Sequence, residues 1–353
     1  MIFRYNNQAL YNSLGDSASV QDINIGQGSV NQISRVQDIS LDISIPYYQG
    51  TSLENNVIMD NISTSIATLG FNFLPSALTN YQRFALFSFS GGGALDNNLK
   101  LNEERNYYIR FNQDRDLVGN SSLTDNVIGL GNGVITSFSL GGSVNNLLKS
   151  HMELEFLEVK SYTGVSGQMT PNFRHDTQQF DTGNFFYLQP AIAQNGAGIA
   201  ALKSNDISLN FSTGDCFALS LTGDNSCYLQ SFNIAVNINR TAVLELGKKY
   251  PTIRPVMFPI EVNVQTEAIV SHLSEDQISS YFCDGRTYDI SIAANTRTCS
   301  GVSDSIPLTV DIKDLKLERQ SFNSSLNGPL TVSLSWKTLI GNYSDMNRRL
   351  SFY

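Results

Sequence analysis

Apolar and polar residues alternate with a period of two over many short stretches of this chain. Ile39, Leu41, Ile43 and Ile45 alternate with Ser40, Asp42 and Ser44 until Pro46 ends the run. Phe232, Ile234, Val236 and Ile238 alternate with Asn233, Ala235, Asn237 and Asn239, and the same rhythm returns over 152–156, 207–211, 217–221, 288–292, 306–312 and 330–336. Successive side chains of a strand point to opposite faces, so this pattern predicts half-buried β-strands. Further strands are expected over 83–89, stopped by Gly91-Gly92-Gly93, and over 106–111, with a turn into a short strand at 69–73. Asn132-Gly133 reads as a turn dipeptide, with 134–144 extended beyond it. A helix is expected near 274–284: Ser274 stands three residues before Gln277 as in a capping box, Ile278, Tyr281 and Phe282 share one face, and Asp284-Gly285 ends it.

These elements predict a mainly β protein built as a β-sandwich or barrel-like fold with one short flanking helix. Residues 1–30 are polar and aperiodic and read as an N-terminal arm. A first β domain with long loops follows over 31–203 and a second over 204–353. Residues 47–80 have no clean period, and 163–203 read as a long loop with short ordered pieces. A weak internal repeat suggests duplication within the chain. Val134–Asn145 lies over Tyr228–Asn239 with Ser, Phe and Asn in common, and Val36–Ile43 lies in phase with Leu229–Val236 and shares a Gln.

Composition agrees with strands and turns. Hydrophobic residues make up 41%, enough for a core across 353 residues, while charged residues reach only 16%, too few for long exposed helices. The net charge of −9 disfavours tight binding to a phosphate backbone, yet suits a surface past which DNA slides without sticking. No run approaches the length of a membrane span, and the N-terminus has no charged-then-apolar secretion pattern.

Little in the sequence points to catalysis. Cys216, Cys227, Cys283 and Cys299 form no C-x-x-C pair, and His151, His175 and His272 are scattered, so no zinc or cofactor site is expected. Cys216 and Cys227 flank a turn-like segment. Both a bridge across a hairpin and free thiols in a reducing compartment remain open. No nucleophile elbow accompanies the histidines, and Glu103/Glu104 and Glu153/Glu155 sit where polar strand faces ordinarily carry acid. Asp22, Asp114, Asp116 and Asp125 in Asn/Gly-rich segments lack the calcium-loop spacing. Gly129-x-Gly131-x-Gly133 precedes a strand, not the helix N-terminus that would hold a phosphate. An enzyme is not expected.

One stretch is more specific. Leu229–Arg240 forms a strand ending in Arg240; Leu246-Gly247, Arg254 and Pro259-Ile260 then lead into another strand. Together with Val127–Leu140 and the closing Pro329–Trp336, this arrangement resembles the tail tube protein family of tailed bacteriophages. The resemblance covers roughly 125–145 and 228–353. It implies tube-like β domains whose subunits add strands edge to edge into rings, the rings stacking into a tube that conducts DNA. It implies contacts with a tape measure, a baseplate and in some tails a sheath, a place in the virion tail after synthesis in the bacterial cytoplasm, and no membrane partner. Asp38, Asp42 and Glu261 are the expected lumen-facing acids, and Arg240, Leu246, Gly247, Arg254 and Pro259 the family-like connector. Two tube units per chain imply a trimeric ring, one unit a hexameric ring. The competing readings are another virion β-protein (baseplate, tail-terminator or head-decoration) and a carbohydrate-binding β-sandwich or adhesin.

Overall fold

The computed structural model describes residues 8–14, 31–33, 35–44, 47–51, 57–61, 66–75, 87–89, 95–99, 104–112, 125–164, 166–167, 171, 173–174, 179–180, 186–188, 202, 207–212, 227–270, 287–294, 297–298, 301–302, 308–324 and 329–352. The helix expected near 274–284, the strand over 217–221, His175, His272 and three of the cysteines, all but Cys227, lie outside them.

The chain begins with β1 (Gln8–Leu14), β2 (Asn31–Gln32), β3 (Val36–Ser44), β4 (Tyr47–Thr51), β5 (Val57–Asn61) and β6 (Ile66–Phe73). Next come β7 (Phe87–Phe89), β8 (Leu95–Leu99), β9 (Arg105–Phe111), β10 (Asn126–Ser143), β11 (Lys149–Phe156) and β12 (Glu158–Thr163). Short strands β13 (Ser166–Gly167), β14 (Phe173–Arg174), β15 (Gln179–Phe180) and β16 (Phe186–Tyr187) follow. The rest is β17 (Ile207–Ser212), β18 (Cys227–Asn237), β19 (Ile260–Val270), β20 (Tyr288–Ala294), β21 (Arg297–Thr298), β22 (Gly301–Val302), β23 (Leu308–Asn323), β24 (Leu330–Ile340), helix α1 (Tyr343–Arg349) and β25 (Leu350–Phe352).

The protein is mainly β, as its alternation predicts. Its principal sheet runs β17-β20-β23-β24-β19-β18-β10-β11-β6-β3, with β9, β1 and β2 attached through β10. Two strands are long enough to serve two layers. The first part of β10 pairs with β9 and β12, and its second part with β11 and β18. The first part of β23 pairs with β20 and β25, and its second part with β24. The inward residues of both layers form one core from Phe71, Tyr107 and Phe156 at one end to Ile290, Val310 and Trp336 at the other.

The strand registers reveal two tandem units. β1, β3, β6, β9, β10, β11 and β12 correspond in order to β17, β18, β19, β20, β23, β24 and β25, and the irregularities correspond too. The bulge between Val36 and Asp38 in β3 returns between Leu229 and Ser231 in β18. The bulged residue is glutamine both times, and each Gln donates to the carbonyl two residues back: Gln37 to Arg35 and Gln230 to Tyr228. The shift between Ile135 and Ser137 in β10 returns between Leu317 and Arg319 in β23.

The bend that carries each long strand from one layer to the other is shared as well. It falls at Asn132 (φ 56°) in β10 and at Asp314 (φ 56°) in β23, a left-handed conformation that Asn and Asp tolerate better than most residues. The Asn132 N–H donates to Asn106 Oδ1 at 3.1 Å, and the Asp314 N–H to Asp289 Oδ1 at 3.0 Å, from matching places on β9 and β20. Bulges re-aim strands and are specific features rather than noise, so this agreement establishes a duplicated fold.

Several expectations change. Asn132-Gly133 is not a hairpin turn: it is the bend inside β10. The aligned stretches at 134–145 and 228–239 are not equivalent strands: β10 answers to β23, and β18 is its antiparallel neighbour. The alignment of 36–43 with 229–236 does mark equivalent strands. Within the segment read as an arm, Gln8–Leu14 forms β1, with Leu10 and Tyr11 buried.

Candidate functional site

Edge pairing of β10 with β18 joins the two units into one eight-stranded sheet, β3-β6-β11-β10-β18-β19-β24-β23. Its apolar face is the core. Phe138, Leu140, Ile234 and Val236, which meet across the junction, are each no more than 2% exposed. Burying side chains of this size contributes roughly 1.5–3 kcal/mol each, so the junction belongs to the core and is not a loose domain contact.

The other face is polar and concave. One open trough spans it from Asn72 and His151 in the first unit to Arg319 and Ser335 in the second. Asp38, Asp42 and Glu261, the sequence-predicted channel residues, all stand on this face. Asp38 and Asp42 lie opposite Asn72 and Thr68, and Glu261 lies opposite Asn237. Their surroundings differ. Asn72 Nδ2 donates to Asp38 Oδ1 at 2.6 Å. Glu261 accepts from Lys337 Nζ at 2.6 Å and from Asn263 Nδ2 at 2.8 Å, and these bonds hold its carboxyl below the usual carboxylate range.

Acid is unevenly shared along the face. The first unit presents Asp38, Asp42, Glu153 and Glu155 against Lys149, whereas the second presents Glu261 and Glu267 against Lys316, Arg319 and Lys337. Neutral Ser and Asn fill most of the rest. His151 is one of these face residues, with Nδ1 2.9 Å from Asn72 Oδ1. Among the described residues no group of three or more His, Cys, Asp or Glu is placed to hold a metal ion.

The family-like connector divides into a base and a tip. It is a hairpin between β18 and β19 bridged at Arg240–Val256 and Val243–Ile253, in the same register as the β4–β5 hairpin between β3 and β6, where Tyr47 pairs with Asn61 and Gly50 with Ile58. At the base, the Arg254 side chain is 2% exposed and reaches into the first unit. It pairs with Glu104 at 3.2 Å and Glu155 at 3.4 Å and donates to the Asn132 carbonyl at the β10 bend. Arg240 donates to the carbonyls of Ile135 and Arg254. Its burial, with the Arg254 charge alongside, lowers its pKa to about 10. Tyr250 adds a bond from its hydroxyl to Glu158 at 2.7 Å. Leu246 and Gly247 form the tip, Leu246 being fully exposed and Gly247 having φ 82°. Pro259 follows a cis peptide bond and leads directly into β19.

Sequence reasoning missed two buried clusters. Arg254 gripping Glu104 is one, since nothing local pairs residues so far apart. The other is Arg110, whose Nε and NH2 donate to Asp125 Oδ2 at 2.9 and 2.6 Å, while Asn112 donates to Oδ1 at 2.6 Å. Both charged residues are fully buried, Tyr11 lies beside them, and burial raises the Tyr11 pKa. A charged residue inside the apolar strand 106–111 was the available signal. Trp336 is fully buried, its indole N–H 3.4 Å from Thr266 Oγ1, so it offers no face to a sugar.

No protein-family model matches the chain, and no curated protein matches it. Among solved structures it is similar to a chain in the virion of a native gene transfer agent particle, at 14% identity and a TM-score of 0.27, over 43% of this chain and 99% of that one. It is also similar to a chain in the tail of an empty gene transfer agent particle of C6 symmetry, at 14% identity and a TM-score of 0.25, over 40% and 99% of the respective chains.

Proposed function

We propose that this protein is the structural subunit of a phage tail tube, three chains forming a ring and stacked rings forming a channel for DNA. The observation that carries this reading is the concave, polar, eight-stranded face made by two tandem units joined edge to edge. A unit that already pairs with its copy inside one chain is suited to the same pairing between chains, and head-to-tail pairing that closes gives a ring. Two units per chain favour three chains for a six-unit ring over six chains.

The channel face carries acid and amide in excess of its cations, a surface that phosphates do not grip tightly. Acid concentrated on the first unit gives the lumen alternating acidic and nearly neutral sectors. The apolar connector tip at Leu244 and Leu246 is the part suited to the next ring of the stack. The reading includes no catalytic step, places the protein in the virion tail, and leaves the tape measure, baseplate and any sheath as partners of the assembled tube. Negative-stain micrographs of concentrated protein should show rings or tubes of uniform width, and native mass spectrometry of the ring should give three chains. A protein monomeric at high concentration, or one forming unstacked caps, would sink it.

A further inference from the structure

We infer that the junction between neighbouring chains is β23 of one chain against β3 of the next, in the register that β10 and β18 use within the chain. Among the described residues β3 pairs only with β6, and the second half of β23 only with β24, so both present an open edge. The two edges are copies of the strands that meet inside the molecule, since β3 is equivalent to β18 and β23 to β10. Strand edges left open invite pairing, and these carry their own template for it.

Transferring the internal register fixes the contacts. Ser139 pairs with Ala235 inside the chain, and their equivalents are Ser321 and Asp42. Leu140 pairs with Ile234, and their equivalents are Phe322 and Leu41; Phe138 pairs with Val236, and theirs are Gln320 and Ile43. Exposure follows the same correspondence. Leu140 and Val236 are 2% and 0% exposed at the internal junction, while Phe322 and Ile43 are 42% and 48% exposed at the open edges. These are core positions awaiting a neighbour.

Charge gives an independent reason for this partner. β3 carries exposed Asp42, and β23 carries exposed Arg319, on the same polar face. In the inferred register Asp42 opposes Ser321, which leaves Arg319 as its diagonal neighbour, within reach of a long side chain. Their internal counterparts, Ala235 and Ser137, are uncharged. The edges therefore attract each other, whereas β3 against β3 would set acid against acid.

Closure into a ring rests on the proposed function; the strand register does not, and the test separates them. Asp42→Cys and Ser321→Cys are made on separate chains and mixed under mild oxidation, with the native chain as the control for its own cysteines. Disulfide-linked dimers are expected from the mixture and from neither variant alone. Ser44→Cys mixed with Ser321→Cys, displaced by two residues, should link at least tenfold less. Asp42→Arg and Arg319→Asp should each abolish association, and the double reversal should restore it; circular dichroism confirms that all three fold. Equal linking by the displaced pair, or rings assembling with no link at Asp42–Ser321, would overturn the register while leaving the tube standing. Linking in register without rings on micrographs would uphold the junction and overturn the tube.

Discussion

The two units share a fold down to individual bulges yet solve its packing differently. In the first, Gly133 lies against the Phe156 ring so closely that even a Cβ would collide. At the equivalent places the second has Leu315 and Thr338, both buried. Bulk has moved from one strand to its neighbour with the space kept full, as close packing requires. Gly131 is explained the same way. A Cβ there would strike the Pro171 carbonyl, whereas its counterpart Lys313 is exposed and carries a side chain freely. The backbone register was preserved while side chains diverged, so register is the firmer record of common origin.

The largest expected effect comes from giving the first unit the second unit's residue at position 110. Arg110 corresponds to Ala293, and Arg110→Ala leaves the Asp125 carboxylate buried without its cation. A loss of about 3–5 kcal/mol is expected, measured by urea unfolding, because removing one partner of a buried pair strands the other. Gly133→Leu should cost about 1–3 kcal/mol through overpacking. Combined with Phe156→Thr, which copies the second unit's pair, it should cost less than the two single changes summed; simple additivity in that double-mutant cycle would mean the swap is not a coupled one.

At the bend, Asp314→Ala should cost about 1–2 kcal/mol, because Ala tolerates the left-handed region less well than Asp and the change removes the carboxylate that Arg348 meets at 3.2 Å and Arg349 at 3.4 Å, and Asp314→Asn, which copies Asn132, should cost less. The smallest effect concerns the polar face. The Glu261 pKa is lowered in the folded protein, so its bond with Lys337 contributes above the unfolded carboxylate pKa and is lost as pH falls through the lowered folded value. Lys337→Ala should return the Glu261 carboxyl titration, followed by NMR, toward the ordinary range, with only a slight change in unfolding midpoint because the pair is exposed.

What the sequence makes legible follows the physics of each element. Strands with one wet face, such as 36–44, 149–156, 227–237 and 330–340, announce themselves by period. β9 is buried on both faces along nearly its whole length, and β1 mixes buried Leu10 and Tyr11 with polar neighbours, so alternation finds the first only in part and the second not at all. Asn-Gly marks left-handed backbone without saying whether the chain turns back or merely bends. Any two amphipathic strands align in phase, which is why 134–145 matched its neighbour in space; the shared Gln37 and Gln230 mark true equivalence because each is the bulged residue of its strand. Asp38, Asp42 and Glu261 share a face, but the cation diagonal to Glu261, Lys337 opposite Asn263, depends on strand order, which phase does not encode.

The junction already made inside each chain bears on the dose of protein that assembly requires. Were every unit a separate molecule, a six-unit ring in equilibrium with free subunits would scale as the sixth power of their concentration. With the units covalently joined in pairs, the same ring scales as the cube. In the proposed ring, half the seams would form during folding, at the effective concentration of a tether, and only the charged, half-exposed seam between β3 and β23 would wait for an encounter. Assembly of such a particle would tolerate a falling supply of chains far better than one built from single units.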